Sequence, residues 1–564
     1  MLVGIDVGGT HTDAVAVKSG KVVASGKVAT QHDDLLSSVM GALDIVCSVV
    51  EPKDVARLNL STTLSTNAIV EGRTDAVSVI VSSGPGIDPS NYQTGAHYYP
   101  VSGSIDHRGE EISPVATDEV AQAVETSVAA GINAFAAVSK FSTRNPEHEL
   151  QIAKQIGAQA DVVSLGHRFS GQLDFPRRIA TAYYNAAVWA LYNRFADAVE
   201  QGVRAKGITA PVQMLKADGG TMPLATSREF PVESILSGPA ASVMGVLAQT
   251  SMQRDADFTS SDMPYAQQND TILLDIGGTT TDIAIIAGGT PLVEKNGIAV
   301  GSFPTLVRAL KTLSIGLGGD SALQYTAGML RVGPERKGPC MAVGGEHPTL
   351  MDALLCAGYA EYGDKQKSLA GIQTFAAEHD LAPDAVISSA ITTAVATIAE
   401  QIQSVVDEVN NTPVYTIREI VRGEAYVPQS VSIMGGPAKA FVPLLEEALD
   451  ITVQLVPEYS VANAIGAAMT KPTFELELFA DTEAGTMIIP VLGERKDVSS
   501  RYTLLDGVLD AKDGIMRHFE AQGLPLDADA IEVVEEQSFT MVGDYGAVGK
   551  NIRVKCQVMP SIGQ

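Results

Sequence analysis

Cysteine is scarce in this chain of 564 residues. The sequence holds four cysteines, and no two of them form a C-x-x-C pair: Cys47, Cys340, Cys356 and Cys556. A disulfide framework and a zinc ribbon are therefore not expected. An iron–sulfur centre, which needs clustered cysteines, has no sequence support either, and this argues against an activator of a radical-type reductase.

Basic side chains are also few. The chain has 39 lysines and arginines against 66 aspartates and glutamates, and its formal charge is −27. Nucleic acids and anionic membrane surfaces attract proteins mainly through lysine and arginine. Neither is expected as a partner. A bound nucleotide stays compatible with this charge, because backbone amides and Mg²⁺ can replace basic side chains locally.

Long apolar runs are missing from the sequence as well. The amino terminus enters a strand-like run within a few residues, with no charged segment followed by an apolar stretch. No run of about 18 apolar residues suggests a membrane span. These features predict a cytoplasmic protein.

The opening segment Val3 to Val17, VGIDVGGTHTDAVAV, has apolar runs on both sides of a glycine turn and reads as a β-hairpin. Glycines without a Cβ let the turn backbone approach a phosphate closely, and threonine hydroxyls can bond phosphate oxygens. A carboxylate at the end of the first strand can hold a hydrated cation or a water. The candidate residues are Asp6, Gly8, Gly9, Thr10 and Thr12, although one such turn by itself is often only a turn.

The same pattern recurs in Leu274 to Ile286, LDIGGTTTDIAII. Asp6 to Asp13 matches Asp275 to Asp282 at six of eight positions, 269 residues apart. This distance is too long for an array of short repeats and fits duplicated domains, each offering one phosphate hairpin to a shared cleft. The second set of candidates is Asp275, Gly277, Gly278, Thr279 and Thr280.

Paired D-x-G-G-T hairpins resemble those of the sugar kinase, Hsp70 and actin superfamily. The spelling D-V-G-G-T-x-T-D near the amino terminus, with D-I-G-G-T-T-T-D later, is similar to the hydantoinase/oxoprolinase A family over roughly residues 1–470. The resemblance implies an α/β fold with duplicated actin-like (ribonuclease H-like) ATPase domains around a nucleotide cleft. It also implies ATP and Mg²⁺ as ligands.

Further segments resemble this family. Val431 to Ala440, VSIMGGPAKA, has a glycine turn where the superfamily places its adenosine-binding glycines, which makes Gly435, Gly436 and Lys439 nucleotide-binding candidates. In Leu313 to Asp320, Asp320 stands where the family has a glycine, and we expect its backbone to resist a positive φ.

Four residues are candidates for substrate contact. Thr63 and Asn67 lie in S-T-T-L-S-T-N-A-I-V-E-G, which is similar to a family segment near the cleft and is equally compatible with an ordinary helix start. His167 matches the histidine of a family S-H-E, but Arg168 replaces the acid and puts an inherited metal or base role in doubt. Asp218 lies in a family-like D-G-G turn. His148, in the first turn of a helix, is expected to be structural.

The domain organisation follows from these segments. We expect a first actin-like domain in residues 1–80 and 201–250, interrupted by an α/β region in 81–200. A flexible loop is predicted for 251–270, the second actin-like domain for 271–470 and a small α+β domain for 471–564.

The resemblance implies that ATP drives opening of a cyclic amide, such as a hydantoin, oxoproline or lactam, through phosphorylation of the amide oxygen. Asp6 and Asp275 would face each other across the phosphates, one holding Mg²⁺ through water and the other orienting a nucleophile or taking a proton; the sequence does not assign these roles. The alternative is a ketone carboxylase subunit, which would use the same residues. The segments at 61–72, 237–242 and 331–352 argue against a small-molecule kinase and against a non-enzymatic actin- or Hsp70-like ATPase. The family also implies a hydantoinase B-type partner subunit, and homo-oligomers are left open.

Overall fold

The computed structural model describes residues 1–31, 33–256, 270–294, 296–411, 425–543 and 546–563. The loop predicted for 251–270 is wrong for residues 251–256, which continue the helix Ser237–Ala256, and residues 257–269 lie outside the described residues.

The first domain is built on a six-stranded sheet in the order β12-β11-β4-β1-β2-β3. β1 and β2 are antiparallel, and β4 and β11 run parallel to β1. Its elements are β1 (Leu2–Val7), β2 (His11–Lys18), β3 (Lys21–Ala29), α1 (Leu35–Cys47), β4 (Arg57–Thr62) and α2 (Leu64–Val70), and, after the insertion, β11 (Val212–Leu215), β12 (Thr221–Pro223), α6 (Leu224–Glu229) and α7 (Ser237–Ala256).

The inserted region is a parallel four-stranded sheet between helices, in the order β10-β9-β5-β6. Successive residues of β5 face opposite sides of the sheet. Val79 packs with Ile179 of α5 on one side, and Ile80 packs with Val124 of α3 on the other. Its elements are β5 (Val77–Ser82), β6 (His97–Pro100), β7 (Ser104–Ile105), β8 (Glu111–Ser113), α3 (Thr117–Ala129), β9 (Ala134–Ser139), α4 (Glu147–Ile156), β10 (Val162–Leu165) and α5 (Phe175–Ala205). The second half of α5 packs into the core of the first domain, through Tyr192 and Val199.

The second domain repeats the strand order of the first. Its sheet runs β15-β14-β13-β21-β22, with β18 paired to β14, and β21 and β22 run parallel to β13. Its elements are β13 (Thr271–Ile276), β14 (Thr281–Ala287), β15 (Thr290–Pro291), β16 (Ala299–Val300), β17 (Phe303–Pro304), β18 (Thr312–Ile315), β19 (Ser321–Thr326), β20 (Met329–Arg336), α8 (Leu350–Ala357), α9 (Lys365–Glu378), α10 (Pro383–Asn411), β21 (Ser430–Met434), α11 (Ala438–Leu449), β22 (Thr452–Leu455) and α12 (Ala462–Met469).

Two helices cross between the duplicated domains. α7 belongs to the first domain by sequence, yet its Ala240 and Val243 pack with Leu273 of the second sheet. α12 follows the second domain, yet its Ile465 packs with Val15 of the first sheet. The backbone of α12 lies so close that a β-carbon on Gly4 would stand 2.1 Å from the Ala464 carbonyl oxygen. The predicted domain boundaries at 250 and 470 therefore assign α7 and α12 by their order in the chain, whereas each helix packs against the sheet of the other domain.

The carboxyl-terminal domain is a five-stranded sheet, in the order β25-β24-β23-β27-β26, with one helix on one face. Thr503 and Asp506 form a capping box that starts this helix at Leu504. The elements are β23 (Phe474–Asp481), β24 (Thr486–Ile489), β25 (Glu494–Asp497), α13 (Leu504–Ala521), β26 (Ile531–Gly543) and β27 (Gly546–Val558).

Among the described helices, α10 is long and apolar enough to cross a membrane by length and composition alone. The sequence pattern predicted no such segment. In the structure, one face of α10 packs into the core of the second domain through residues such as Ala390, Ala394 and Ile398.

Candidate active site between the two glycine hairpins

The repeated motif forms two equivalent hairpins. In the first, Asp6 pairs with Asp13 across β1 and β2, and the Gly8 amide donates to the His11 carbonyl over 3.0 Å. In the second, Asp275 pairs with Asp282, and the Gly277 amide donates to the Thr280 carbonyl over 2.9 Å. Each hairpin thus places one aspartate on the strand that leads into a glycine turn.

The two turns face each other. A β-carbon built on Gly278 would lie 3.2 Å from Thr10 Cγ2, and one built on Gly9 would lie 4.0 Å from Thr279 Oγ1. The two turns lie 269 residues apart in the chain, so this contact is a product of the tertiary fold. The contact brings Thr10 and Thr279 close to the glycines of the opposite turn.

The third predicted turn lies beside the second hairpin. Gly435 has a φ of +98°, and a β-carbon there would meet the Ile276 carbonyl oxygen at 2.2 Å and Asp275 Oδ1 at 2.7 Å. Only glycine fits this position. Gly436 and Lys439 are exposed, and no atom lies within 4 Å of the point where a Gly436 β-carbon would stand.

Asp6 is buried, with only 5% of its surface exposed, and its Oδ1 has no hydrogen-bond partner among the described residues. Burial raises the pKa of Asp6 to about 7, and the charges of Asp13 and Asp275 act in the same direction. Asp282 Oδ1 is also buried without a partner, and burial raises the pKa of Asp282 to about 7. The site therefore holds carboxyl groups that can exchange protons near neutral pH.

Asp275 is held more firmly than Asp6. Its Oδ2 accepts hydrogen bonds from Ser242 Oγ at 2.7 Å and from Asn463 Nδ2 at 3.1 Å. These two donors come from the crossed helices α7 and α12. Neither was among the predicted site residues, although Ser242 lies within the segment 237–242 that the sequence analysis used.

Asp320 also lies at this site. Its amide donates to the Gly278 carbonyl over 2.7 Å, and its carboxylate accepts two hydrogen bonds from Arg336. Its φ is not positive, so the expected strain of an aspartate at this glycine position does not arise. Arg336 is a further cation near the turns that the sequence pattern did not single out.

Two of the four substrate candidates lie near the first hairpin. Thr63 Oγ1 donates to the Val7 carbonyl over 3.4 Å, and Asn67 Nδ2 donates to Thr63 Oγ1 over 3.2 Å. The Ser237 hydroxyl donates to the Thr62 carbonyl, which ties this segment to the start of α7. Thr63 and Asn67 therefore stand beside the end of β1.

His167 and Asp218 are engaged elsewhere. His167 Nδ1 lies 2.6 Å from Glu149 Oε2 in the inserted region, and Glu149 also lies 3.7 Å from the fully buried Arg178. Asp218 accepts hydrogen bonds from Thr473 Oγ1, at the start of the carboxyl-terminal domain. Both side chains serve as buried links between structural elements in this structure, and His148 does so too, between Ser82 and Glu111.

Thr12 is likewise turned away from the space between the turns. It is fully buried and shares a 3.0 Å hydrogen bond with Thr30, whose hydroxyl donates to the Gly8 carbonyl. Thr12 thus supports the turn from behind, and its predicted direct contact with phosphate does not fit this geometry.

Two topologically matched sheets, each ending in a glycine hairpin at a common cleft, define an actin-like ATPase fold, as predicted. Family models for the hydantoinase/oxoprolinase N-terminal region and for hydantoinase/oxoprolinase match residues 2–159 and 178–476, respectively. The chain belongs to the hydantoinase/oxoprolinase family, which confirms the resemblance seen in the motifs.

The names of similar proteins refer to several different activities. The chain is 26% identical to caprolactamase subunit alpha of Pseudomonas jessenii, over 81% of this chain and 68% of that protein. It is 28% identical to 5-oxoprolinase of Dictyostelium discoideum over 37% of this chain, but this match spans only 16% of that longer protein. It is 24% identical to the acetophenone carboxylase gamma subunit of Aromatoleum aromaticum, over 63% of this chain and 53% of that protein.

Solved structures agree on the fold. ATP-dependent caprolactamase from Pseudomonas jessenii superposes with a TM-score of 0.70 at 20% identity, covering 100% of this chain and 87% of that one. Acetone carboxylase superposes with a TM-score of 0.68 at 14% identity, covering 99% of this chain and 87% of that one. Together the comparisons support an ATP-dependent enzyme of this family, without specifying its substrate or reaction.

Proposed function

We propose that this chain is the ATP-binding subunit of a hydrolase that opens a cyclic amide, such as a hydantoin, oxoproline or lactam, with ATP as the energy source. The observation that carries the proposal is the pair of facing glycine turns, with Asp6 and Asp275 on the strands directly before them. The third turn, at Gly435, touches Asp275 and places a second glycine surface beside the same space.

The residues present fit a nucleotide. Backbone amides in glycine turns are suited to phosphate oxygens, and Thr10 and Thr279 add hydroxyls at the same place. The exposed Gly436 and Lys439 leave an open surface next to the hairpins, where an adenosine group would lie. Gly8, Gly9, Gly277, Gly278 and Thr280 complete the proposed nucleotide site.

The two carboxylates differ in a way that suggests distinct roles. Asp275 is fixed by Ser242 and Asn463, which suits a carboxylate that holds Mg²⁺ through water. Asp6 has an unpartnered oxygen and a pKa near neutrality, which suits a group that takes a proton or orients water. Mg²⁺ bound there would offset the charge of the transferring phosphoryl group.

The proposed reaction starts with a bond from the amide oxygen of the substrate to the γ-phosphorus of ATP, while the bond from that phosphorus to ADP breaks. Asp6 would accept the amide proton. Water then attacks the ring carbon, the ring C–N bond breaks, and a second water hydrolyses the acyl phosphate that remains. The products are ADP, phosphate and a ring-opened amino acid, and two waters are consumed.

A hydantoinase B-type partner is part of this proposal. The names of the relatives, subunit alpha and gamma subunit, support assemblies of several chains. We propose that the partner contacts the inserted region or the carboxyl-terminal domain, and a stable complex would bury more than ~1,200 Å² in total. We propose that the enzyme acts in the cytoplasm. Homo-oligomers of this chain are compatible with the proposed complex.

A ketone carboxylase subunit is the second candidate function. Its support is the similarity to the acetophenone carboxylase gamma subunit and the superposition on acetone carboxylase. The same hairpins would then direct the γ-phosphoryl group to an enol oxygen instead of an amide oxygen.

The test is a coupled ATPase assay with hydantoins, oxoproline, lactams, and ketones plus bicarbonate, run with and without the product of the neighbouring gene. We expect a cyclic amide to stimulate ADP release, with one ring opened per ATP, and Asp6→Asn to abolish this stimulation. Stimulation by a ketone that requires bicarbonate would replace the first function with the second. Phosphate transfer that leaves a stable phosphorylated substrate would refute both proposed functions and would indicate a kinase.

The partner subunit is tested separately. Co-expression followed by size exclusion should give a complex of the two chains. If this chain alone opens one ring per ATP, the need for a partner is refuted.

A further inference from the structure

The loop that ends at Asp320 is fixed on the second glycine turn. The Gly319 amide donates to the Gly277 carbonyl over 3.0 Å, and the Asp320 amide donates to the Gly278 carbonyl over 2.7 Å. The point where a Gly278 β-carbon would stand lies 3.1 Å from Asp320 Oδ2 and 3.2 Å from Thr10 Cγ2. The Asp320 carboxylate therefore stands where the turns of the two domains meet.

Strand β20 brings Arg336 to this carboxylate. Arg336 pairs with Ser321, the residue after Asp320, and its Nε and Nη2 donate to Asp320 Oδ2 over 3.1 and 3.0 Å. A guanidinium has five N–H donors, and the other three, two of them on Nη1, donate to no described residue. The side chain of Arg336 is 36% exposed. One edge of its guanidinium is thus fixed by Asp320 and the other edge is open.

The position of this pair relative to the hairpins indicates what the open edge can reach. A β-carbon on Gly319 would meet Pro437 Cγ at 2.9 Å, so the loop passes the third turn before it arrives at Asp320. Burial lowers the pKa of His11, on the first hairpin, and the charges of Asp320 and Arg336 are among those that also act on it. The pair therefore lies towards the two hairpins, where the phosphates of the proposed nucleotide would end.

We infer that Arg336, held by Asp320, binds the terminal phosphoryl group of ATP through the open edge of its guanidinium. This inference rests on the proposed function and assigns the cation that recognises the transferred group. The pair is neutral overall, so Arg336 acts through directed, charge-assisted hydrogen bonds and needs no surplus charge. A planar guanidinium that is already fixed at one edge loses little freedom when its other edge meets phosphate oxygens. Arg336 is a phosphate-binding residue, and Asp320 is a positioning residue.

Calorimetry on the full chain with Mg-ADP and with a magnesium-bound, non-hydrolysable ATP analogue tests this role. Arg336→Gln should weaken binding of the analogue about 10-fold or more and leave binding of ADP nearly unchanged, because ADP lacks the terminal group. Arg336→Lys keeps the charge without the fork and should give an intermediate affinity for the analogue. The matched control is Arg331→Gln, since Arg331 is also exposed on β20 but pairs with Gln324, nearer the end of the hairpin. It should bind both nucleotides as the wild type does.

The outcomes separate this inference from the proposed function. If the wild type binds both nucleotides and Arg336→Gln keeps the wild-type ratio of the two affinities, the role of Arg336 is refuted and the nucleotide site stands. Equal weakening of ADP and of the analogue would likewise overturn the assignment to the terminal group. If the wild type binds neither nucleotide, the proposed nucleotide site and the role of Arg336 both fail.

Asp320→Asn tests the positioning role. In the presence of Arg336 this change should weaken binding of the ATP analogue, because the guanidinium loses its charged acceptor. In the Arg336→Gln background it removes a negative charge beside the phosphates and should not weaken binding. A double-mutant cycle measures the coupling, and the same loss in both backgrounds would show that Asp320 does not act through Arg336.

Discussion

Asn463 donates a 3.1 Å hydrogen bond from its side-chain amide to Asp275, although 188 positions separate the two residues. Asn463 stands at the start of α12, which packs on the sheet of the first domain, whereas Asp275 ends a strand of the second. This hydrogen bond connects the carboxylate of Asp275 to α12, the helix that packs on the other domain. Movement of one domain relative to the other would therefore change how Asp275 is held.

We predict that Asn463→Ala lowers kcat for ATP hydrolysis by about 10- to 100-fold, as loss of a partner that orients a metal-binding carboxylate typically does. KM for ATP should change less. The control is Asn59→Ala, because Asn59 also bonds to α12, at the Ala467 carbonyl, without touching a carboxylate. Asn59→Ala should cost stability and leave kcat of the folded protein near that of wild type. Equal losses of kcat in the two variants would show that Asn463 acts only through the fold.

Gly278→Val should weaken Mg-ATP binding at least ~10-fold in calorimetry. A β-carbon there already meets Thr10 Cγ2 at 3.2 Å and Asp320 Oδ2 at 3.1 Å, so the larger side chain fills the space between the turns. Gly41→Ala in α1, where the nearest contact would be an ordinary 3.8 Å, serves as the control. Unchanged affinity in a folded Gly278→Val variant would place the nucleotide elsewhere.

Asp282→Asn should stabilise the protein in a pH-dependent way. The pKa of Asp282 is about 7 in the folded protein against 3.8 as the reference value, so the folded state binds this proton more tightly than the unfolded state. The stability of the wild type should then fall as pH rises from about 4 to 7. Asparagine removes this loss, by up to about 4 kcal/mol at pH 8 and by little near pH 4. Denaturant unfolding at both pH values measures the difference, and a pH-independent result would mean that Asp282 is ionised in the fold.

Glu149→Gln should destabilise the protein by about 3–5 kcal/mol, because it leaves the buried Arg178 without its carboxylate. Activity per folded molecule should persist, since His167 and Glu149 are linked to each other and not to the hairpins. Glu229→Gln, which removes an exposed partner of Arg168, should change stability by less than about 1 kcal/mol. A Glu149→Gln protein of normal stability that has lost turnover would instead support the substrate contact predicted for His167.

The sequence alone determined the two hairpins, the third glycine turn and the duplicated fold. These features depend on contacts between residues close in the chain: a glycine turn forms between two adjacent strands whatever lies elsewhere. The repeat D-x-G-G-T-x-T-D was sufficient to pair Asp6 with Asp275 as equivalent positions. The family-like segment at 61–72 was likewise predicted to lie near the cleft by its motif.

The tertiary structure alone decided which side chains serve the cleft. Thr12 belongs to the motif but is fully buried at the start of β2, where its hydroxyl bonds to Thr30. Ser242 and Asn463 reach Asp275 because α7 and α12 cross between the domains, and packing between distant segments leaves no local pattern in the chain. His167 and Asp218 are charged or polar and follow strands, as site residues often do, yet burial with Glu149 and Thr473 makes them structural. A motif thus specifies the local turn, while the long-range packing of the helices and strands specifies what surrounds it.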